Sequence, residues 1–328
     1  MPKSSSPDAS GGWGEAVWGI MNENKTIANS TSFSLAAKVK DYFQLIKFTL
    51  SFMVVFSTVV SFLIAPNEQH FVREKIISVL LLFVAGMLIT GSANAINQLL
   101  EKASDSLMMR TAKRPVASGR MSVNEAGIFA FITGVAGVFM MWKFFNTESA
   151  LVGLFSLFLY GFIYTPLKKV NSISVLVGAV PGALPCLIGW VAAYGNDPIS
   201  WTGAWVLFGI QFLWQFPHFW AIAWLAHKDY TNAGFKLLPA DKGPTKFTAV
   251  QSIIYSTLMI PVGFLPYFTG ISGIESMFVL LACNLWMVYV SVMLFIKMDA
   301  KSARKVMFSS YFYLMIVLLA LFANRMIQ

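Results

Sequence analysis

The chain has 328 residues, 57% of them hydrophobic and 12% charged, with a mean hydropathy of +0.66 and a formal charge of +9. A soluble domain carries about a quarter of its residues as charges, so this composition excludes a soluble fold. The Lys and Arg residues sit in short clusters between apolar runs instead of along one face, which argues against nucleic-acid binding and for topology and anion-binding signals.

In chain order, residues 1–40 come first. They are rich in Ser and Asn, hold no Arg, and carry Asp8, Glu15 and Glu23. That matches neither a secretory signal nor an Arg-rich, acid-poor transit peptide. The expectation is a flexible N-terminal tail over 1–40 and one membrane domain over 41–328, in a bacterial inner membrane, with a mitochondrial inner membrane as the alternative.

Nine apolar runs follow, at 42–65, 76–100, 125–142, 149–166, 171–195, 199–226, 247–270, 276–296 and 306–324. Each is near the ~20 residues that a membrane-spanning helix needs. No water satisfies the backbone in hydrocarbon, and the short alternating segments of a membrane β-barrel are missing, so helix is the expected spanning form. The fold class is therefore an all-α, polytopic bundle of nine transmembrane helices. Cys186 and Cys283 both fall inside apolar runs, where a free cysteine acts as a small hydrophobe.

Loop charge sets the expected orientation. Lys102, Arg110, Lys113, Arg114 and Arg120 follow the second run; Lys168 and Lys169 the fourth; Lys228, Lys236, Lys242 and Lys246 the sixth; Lys297, Lys301, Arg304 and Lys305 the eighth. The other side carries only Arg73, Lys75, Lys143 and Arg325. The N-terminus and the basic loops are then cytoplasmic.

The second run ends in NAINQLLEKASDSLMMRTAKRP. The spacing of four from Asn97 to Glu101 to Asp105 sets three oxygen-bearing side chains on one helical face. Such hard ligands suit Mg²⁺, which takes one or two protein carboxylates and completes its shell with water and substrate phosphate. Arg110, Lys113, Arg114 and Arg120 follow at once and can hold phosphate oxygens. Read blandly, this is a solvated helix end; but ionisable groups bordering an apolar span point to a functional site.

Farther along, Gly182, Pro185 and Gly189 predict a kinked, closely packed fifth helix. His218, in WQFPHFW, is the ionisable group within the sixth run. Its position allows a group orienting the phosphate site or a histidine bonded to a neighbouring helix. Asp229 follows eleven residues later, about three turns on if one helix continues. A face-to-face meeting of the loops after helices 2 and 6, over one cavity, is expected. A secondary transporter would place its polar groups near the bilayer midplane; here the acids lie at helix ends beside strong cations, which favours an enzyme.

The Asn-x-x-x-acid-x-x-x-Asp pattern resembles that of the UbiA-type intramembrane prenyltransferases, a nine-helix family using magnesium and an allylic diphosphate. The blocks NQLLEKASDSLMMRTAKRPVASGRMS, YTPLKK and FLWQFPHFWAIAWLAHKDYTNAGFKLLP resemble the branch of that family that attaches farnesyl to haem B, over roughly residues 42–325. The resemblance implies farnesyl diphosphate and haem B as substrates, haem O as product, Mg²⁺ as cofactor, and a downstream haem A synthase or terminal oxidase as partner. It implies metal and catalytic roles for Asn97, Glu101, Asp105 and Asp229, approach of Tyr164 and Lys168 to the diphosphate, diphosphate binding by Arg110, Lys113 and Arg114, and a place for His218 near the haem. Other acceptors, such as an aromatic acid or a chlorin alcohol, are the alternative within the family.

Two departures stand out. Lys228 beside Asp229 and Leu225 one turn earlier reduce the second acidic motif, so a second complete metal site is not expected. In LIKFTLS, where many members have Lys-Pro-Arg, Lys47 is kept but Pro and Arg are not, and Lys47 is assigned no catalytic role.

Overall fold

A computed structural model describes residues 34–66, 72–239 and 243–326. The chain divides into two units, Met1–Tyr42 and Phe43–Gln328. Of the tail expected over 1–40, residues 1–33 lie outside the described residues, whereas 35–40 are helical.

The helices are α1 (Leu35–Leu45), α2 (Phe48–Ile64), α3 (Val72–Leu100), α4 (Lys102–Ser106), α5 (Val123–Phe144), α6 (Thr147–Phe158), a π-helical segment (Leu159–Tyr164) leading into α7 (Thr165–Leu167), α8 (Ser174–Ala192), α9 (Trp201–Leu225), α10 (His227–Asn232), α11 (Lys246–Phe268), α12 (Ile274–Lys297) and α13 (Ala300–Ala323). Among the described residues, eight spans are long and apolar enough to cross a membrane, and the broken pair α1 and α2 brings the number up to nine. The all-helical, polytopic expectation holds.

Local chemistry fixes several helix starts. Ser122 accepts the Glu125 backbone N–H at 3.0 Å, Asn146 that of Ser149 at 2.8 Å, and Asp299 that of Ser302 at 2.7 Å. Each supplies a partner to an N–H group left free by the first turn.

The bundle is built around α8 and α9, whose most apolar stretches are 78% and 67% buried, against 22–33% for the other spans. One group, α2, α3, α5 and α6, packs in sequence around α8; the other, α11, α12 and α13, closes around α9. The small residues expected in the fifth span allow this. A Cβ at Gly189 would collide with the Thr58 carbonyl of α2, and one at Gly182 with the Gln215 side chain of α9. Apolar packing between helices gains little when lipid is equally apolar, so close approach and interhelical hydrogen bonds hold the bundle. Tyr313 donates to Asn284 Oδ1 at 2.7 Å, Asn284 Nδ2 to the Met259 carbonyl at 2.9 Å, and Trp214 Nε1 to the Ser310 carbonyl at 2.6 Å.

Three local departures from simple spans shape the polar end of the bundle. The first span is broken at Ile46 and Lys47, the fourth carries the π-helical segment, and the sixth ends at Leu225 instead of running on to Asp229. Asp229 belongs to the separate helix α10, so the single-helix register with His218 does not hold. Ala226, at φ −99° and ψ 17°, is where the helix is interrupted.

Candidate active site

The side chains of Asn97, Glu101 and Asp105 line one pocket of about 130 Å³, shared with Lys47, Met108, Arg110, Thr111, Arg114, Tyr164, Lys168, Tyr230, Phe235 and Leu237. The helix changes between the first and last of the three oxygens, because Glu101 lies at the junction of α3 and α4 with φ −95° and ψ 6°. The i→i−4 register nevertheless runs through it: Glu101 N–H donates to the Asn97 carbonyl at 2.9 Å, and Asp105 N–H to the Glu101 carbonyl at 2.7 Å. The ladder read from the sequence thus survives a change of element.

Each of the three meets a cationic side chain. Lys47 Nζ donates to Asn97 Oδ1 at 2.7 Å. Lys168 Nζ lies 2.6 Å from Glu101 Oε1. Arg114 Nη1 sits between both Asp105 oxygens, at 2.8 and 2.7 Å. Asn97, Glu101 and Asp105 are nearly sealed, at 1%, 4% and 0% exposure, so these pairs act in a medium where charge is weakly screened. Burial pushes the Asp105 carboxyl above the usual carboxylate range, and the Arg114 guanidinium pulls it the other way.

The cations are held by aromatic faces as well. Lys168 Nζ stands 4.6 Å from the Tyr164 ring centroid and 5.6 Å from that of Phe235, and the Arg110 guanidinium 4.5 Å from that of Tyr230. Such contacts orient a cation without neutralising it, leaving its charge available to an anion. Asn97 Nδ2 donates to Thr165 Oγ1 at 3.2 Å, which turns Oδ1 toward Lys47.

The donor set suits a divalent cation. Two carboxylates and an amide oxygen match the preference of Mg²⁺ for one or two protein carboxylates with the rest of its shell from water and phosphate. Among the described residues no group of three or more His, Cys, Asp or Glu side chains could grip a metal unaided. These oxygens therefore fit a cation that arrives with a diphosphate.

The loops after the second and sixth spans do meet over the pocket. The Arg110 guanidinium of the first loop lies over the Tyr230 ring of the second and Met108 packs with Phe235, while the Lys236 backbone N–H ties the later loop to the Lys168 carbonyl after the fourth span at 2.7 Å; Tyr230, Phe235 and Leu237 line the pocket together with Asn97 and Asp105. The later loop contributes apolar and aromatic side chains there, and Asp229 does not line the pocket. Lys113 also lies outside it, exposed, with its carbonyl accepting from Arg120 at 2.9 Å.

His218 is placed away from the pocket, on α9 against α13. Its Nδ1 is 2.7 Å from Ser310 Oγ, its ring stacks on Trp214 at 4.9 Å between centroids, and Tyr311 meets it edge-on at 4.9 Å. Ser310 Oγ donates its own proton to the Met307 carbonyl at 2.6 Å, so it accepts from Nδ1–H. Of the three readings, the contact with a neighbouring helix is the one the geometry displays.

Lys47, assigned no catalytic role from the sequence, lines the pocket. A lone lysine within the first apolar run was its signal, since an intramembrane ammonium is costly unless it has a task. It sits at φ 48° and ψ 57°, a left-handed conformation that costs a non-glycine residue of order 1–3 kcal/mol.

Directly beneath the polar pocket an apolar cleft opens between α2, α3, α5, α6 and α8, lined by Leu50, Val54, Ile89, Ala93, Met141, Pro181, Pro185 and Ile188 among others. Asn94 and Tyr160 line its upper end, one turn before Asn97 and Tyr164 respectively. The Tyr160 and Tyr164 rings, 5.3 Å apart, form the step between the two compartments.

Comparisons with known proteins give the family and the fold. Residues 54–318 match the model of the UbiA prenyltransferase family. The chain is 41% identical over 291 residues to a protoheme IX farnesyltransferase of Cytophaga hutchinsonii, covering 89% of this chain and 99% of that protein. A protoheme IX farnesyltransferase of Flavobacterium johnsoniae is 39% identical over 306 residues, covering 92% and 99%. Among solved structures, a digeranylgeranylglyceryl phosphate synthase superposes with a TM-score of 0.72 at 21% identity, covering 88% of this chain and 98% of that one. A UbiA homologue from Archaeoglobus fulgidus, bound to GPP and Mg²⁺, superposes with a TM-score of 0.59 at 13% identity, covering 86% and 99%. By family match and by identity over most of its length, the chain belongs to the UbiA prenyltransferase family.

Proposed function

We propose that this chain transfers the farnesyl group of farnesyl diphosphate to a vinyl group of haem B, forming haem O, at the pocket between α3 and the loop after α9. The observation that carries the reading is the adjacency of two compartments, one polar and one apolar. Three buried oxygen-bearing side chains and four cations, Lys47, Arg110, Arg114 and Lys168, surround one polar pocket. An apolar cleft within the spans adjoins it, Tyr160 lining the cleft and Tyr164 the pocket with their rings 5.3 Å apart. A diphosphate with a long apolar tail matches both. Haem B as acceptor is supported by the identity to the named farnesyltransferases.

Departure of diphosphate from a primary allylic carbon develops charge on the leaving group, and only interactions that strengthen with that charge accelerate the step. Lys47, Arg110, Arg114 and Lys168 are preset to receive it, and Asn97, Glu101 and Asp105 would hold the metal. Magnesium, when bound, supplies Lewis-acid polarisation of the phosphate oxygens. The Tyr164 and Phe235 faces border the pocket where positive charge appears on the allylic carbon, and the cleft keeps bulk water from that carbon until the vinyl π electrons attack it. That attack forms the new C–C bond and leaves the positive charge on the vinyl carbon next to the porphyrin ring, where one water adds and loses a proton to give the hydroxyl of haem O. Asp229 and Lys113 are assigned no contact with the diphosphate, and His218, bonded to Ser310 of α13, is assigned no part in the transfer.

The Lys and Arg asymmetry supports a cytoplasmic placement for the polar end, in a bacterial inner membrane. The test is conversion of haem B by the purified protein in detergent with farnesyl diphosphate and Mg²⁺, read by mass spectrometry of the extracted haem. Wild type yields farnesylated haem and Asp105→Asn does not. A folded wild type that consumes farnesyl diphosphate only with an aromatic acid would move the reading to another acceptor.

A further inference from the structure

We infer that Asn94 and Gln98 are positioning residues for Lys47: they hold open the break in the first span that carries its ammonium into the polar pocket. The inference rests on the proposed function, in which that ammonium meets the diphosphate.

The break leaves carbonyls without their usual helical donors. Helix α1 ends at Leu45 and α2 begins at Phe48, and a buried carbonyl left without a donor would favour closing the gap into a continuous helix. Two amides of α3, one turn apart, supply those donors. Gln98 Nε2 donates to the Gln44 carbonyl at 3.0 Å and the Leu45 carbonyl at 2.9 Å. Asn94 Nδ2 donates to the Ile46 carbonyl at 3.2 Å and to Ser51 Oγ at 3.0 Å. Three consecutive carbonyls thus receive donors from α3: it is the donor of the Leu45 carbonyl, while the Gln44 carbonyl also accepts from the Lys47 N–H at 3.2 Å and the Ile46 carbonyl from Ser51 Oγ at 2.6 Å.

The remaining halves of these amides show that the donors are what the site requires. Asn94 Oδ1 and Gln98 Oε1 are both sealed from the surface and have no hydrogen-bond partner. A methionine or leucine would fill the space without burying those oxygens. The chain tolerates two orphaned acceptors to deliver N–H groups to the break.

The consequence is read at Lys47, the residue left in the left-handed conformation, whose Nζ lands 2.7 Å from Asn97 Oδ1. Asn94 and Gln98 flank Asn97 on α3, so one helix both opens the break and carries the group the lysine reaches. In a continuous helix through residues 46 and 47 the lysine would lose the conformation that aims it there. Asn94, about one turn before Asn97 on α3, is turned to the break.

The test measures the affinity for inorganic pyrophosphate with Mg²⁺ by calorimetry, together with kcat and KM for farnesyl diphosphate, in Lys47→Met, Gln98→Met, Asn94→Ala and the double variant Lys47→Met/Gln98→Met. Removing one charge-assisted contact in Lys47→Met is expected to weaken pyrophosphate binding by about tenfold or more. Gln98→Met should reproduce most of that loss, Asn94→Ala part of it, and the double variant should bind no worse than Lys47→Met alone, because both act through one ammonium. A Gln98→Met loss that adds in full to that of Lys47→Met, or a Gln98→Met protein that binds pyrophosphate as wild type does, overturns the inference while leaving the proposed function standing. Wild-type affinity in Lys47→Met would overturn the role of Lys47 itself, and the positioning role with it. Should Gln98→Met fail to fold, the same comparison with Asn94→Ala decides, since it withdraws donors from Ile46 and Ser51 only.

Discussion

Lys168 offers the sharpest separation of stability from catalysis. Its Nζ lies 2.6 Å from Glu101 Oε1, with side-chain exposures of 10% and 5% for the two partners. In Lys168→Met the methionine fills the space between Tyr164 and Phe235, but Glu101 is left buried without its counter-charge. Removing one partner of a buried pair costs about 3–5 kcal/mol, whereas replacing both by groups of similar volume is often neutral. At about 2–4 °C per kcal/mol for a chain of this class of size, the single variant should lose about 6–20 °C in thermal unfolding. Adding Glu101→Gln should restore most of that, because an amide needs no counter-charge. Activity behaves differently: loss of a preorganised cation at the leaving group costs about 10²–10³ in kcat, and the double variant regains none of it. The assay is unfolding of the detergent-solubilised protein by tryptophan fluorescence beside farnesyl transfer. A double variant less stable than the single, or a single variant with wild-type melting, would refute the argument that the pair is energetically coupled.

Three further expectations follow from the same geometry. Asp105→Asn should lower farnesyl transfer by at least about 10²-fold, while Asp229→Asn and Lys113→Ala, whose side chains lie outside the pocket, should lie within about threefold of wild type; a loss at Asp229 equal to that at Asp105 would put the second acidic motif back at the metal. Burial raises the Asp105 pKa, and a protonated carboxyl is a poor metal ligand; calorimetric affinity for Mg²⁺ with pyrophosphate should therefore fall as pH drops, beginning on the less acidic side of the range of an ordinary aspartate, and Asp105→Asn should flatten that dependence. Gly189→Ala drives a methyl into the Thr58 carbonyl of α2, and such overpacking should cost about 1–3 kcal/mol in thermal unfolding, with pyrophosphate affinity unchanged.

The sequence by itself determined the bundle, because apolar runs of spanning length can satisfy their backbones in lipid only as helices. It also determined that Asn97, Glu101 and Asp105 share a face: spacing by four is a property of local helical geometry, and it persists through the junction at Glu101 because the hydrogen-bond register does. What it could not carry were the interruptions. The break at Ile46 and Lys47 depends on amides of α3 some fifty residues away, the end of α9 at Leu225 separates His218 from Asp229, and the wall of Tyr230, Phe235 and Leu237 forms only when the later loop pairs with Lys168. Each rests on a hydrogen bond or a packing contact between distant segments, which periodicity along one segment does not encode. Tertiary structure alone therefore decided which cations face the three oxygens, adding Lys47 and leaving Lys113 outside.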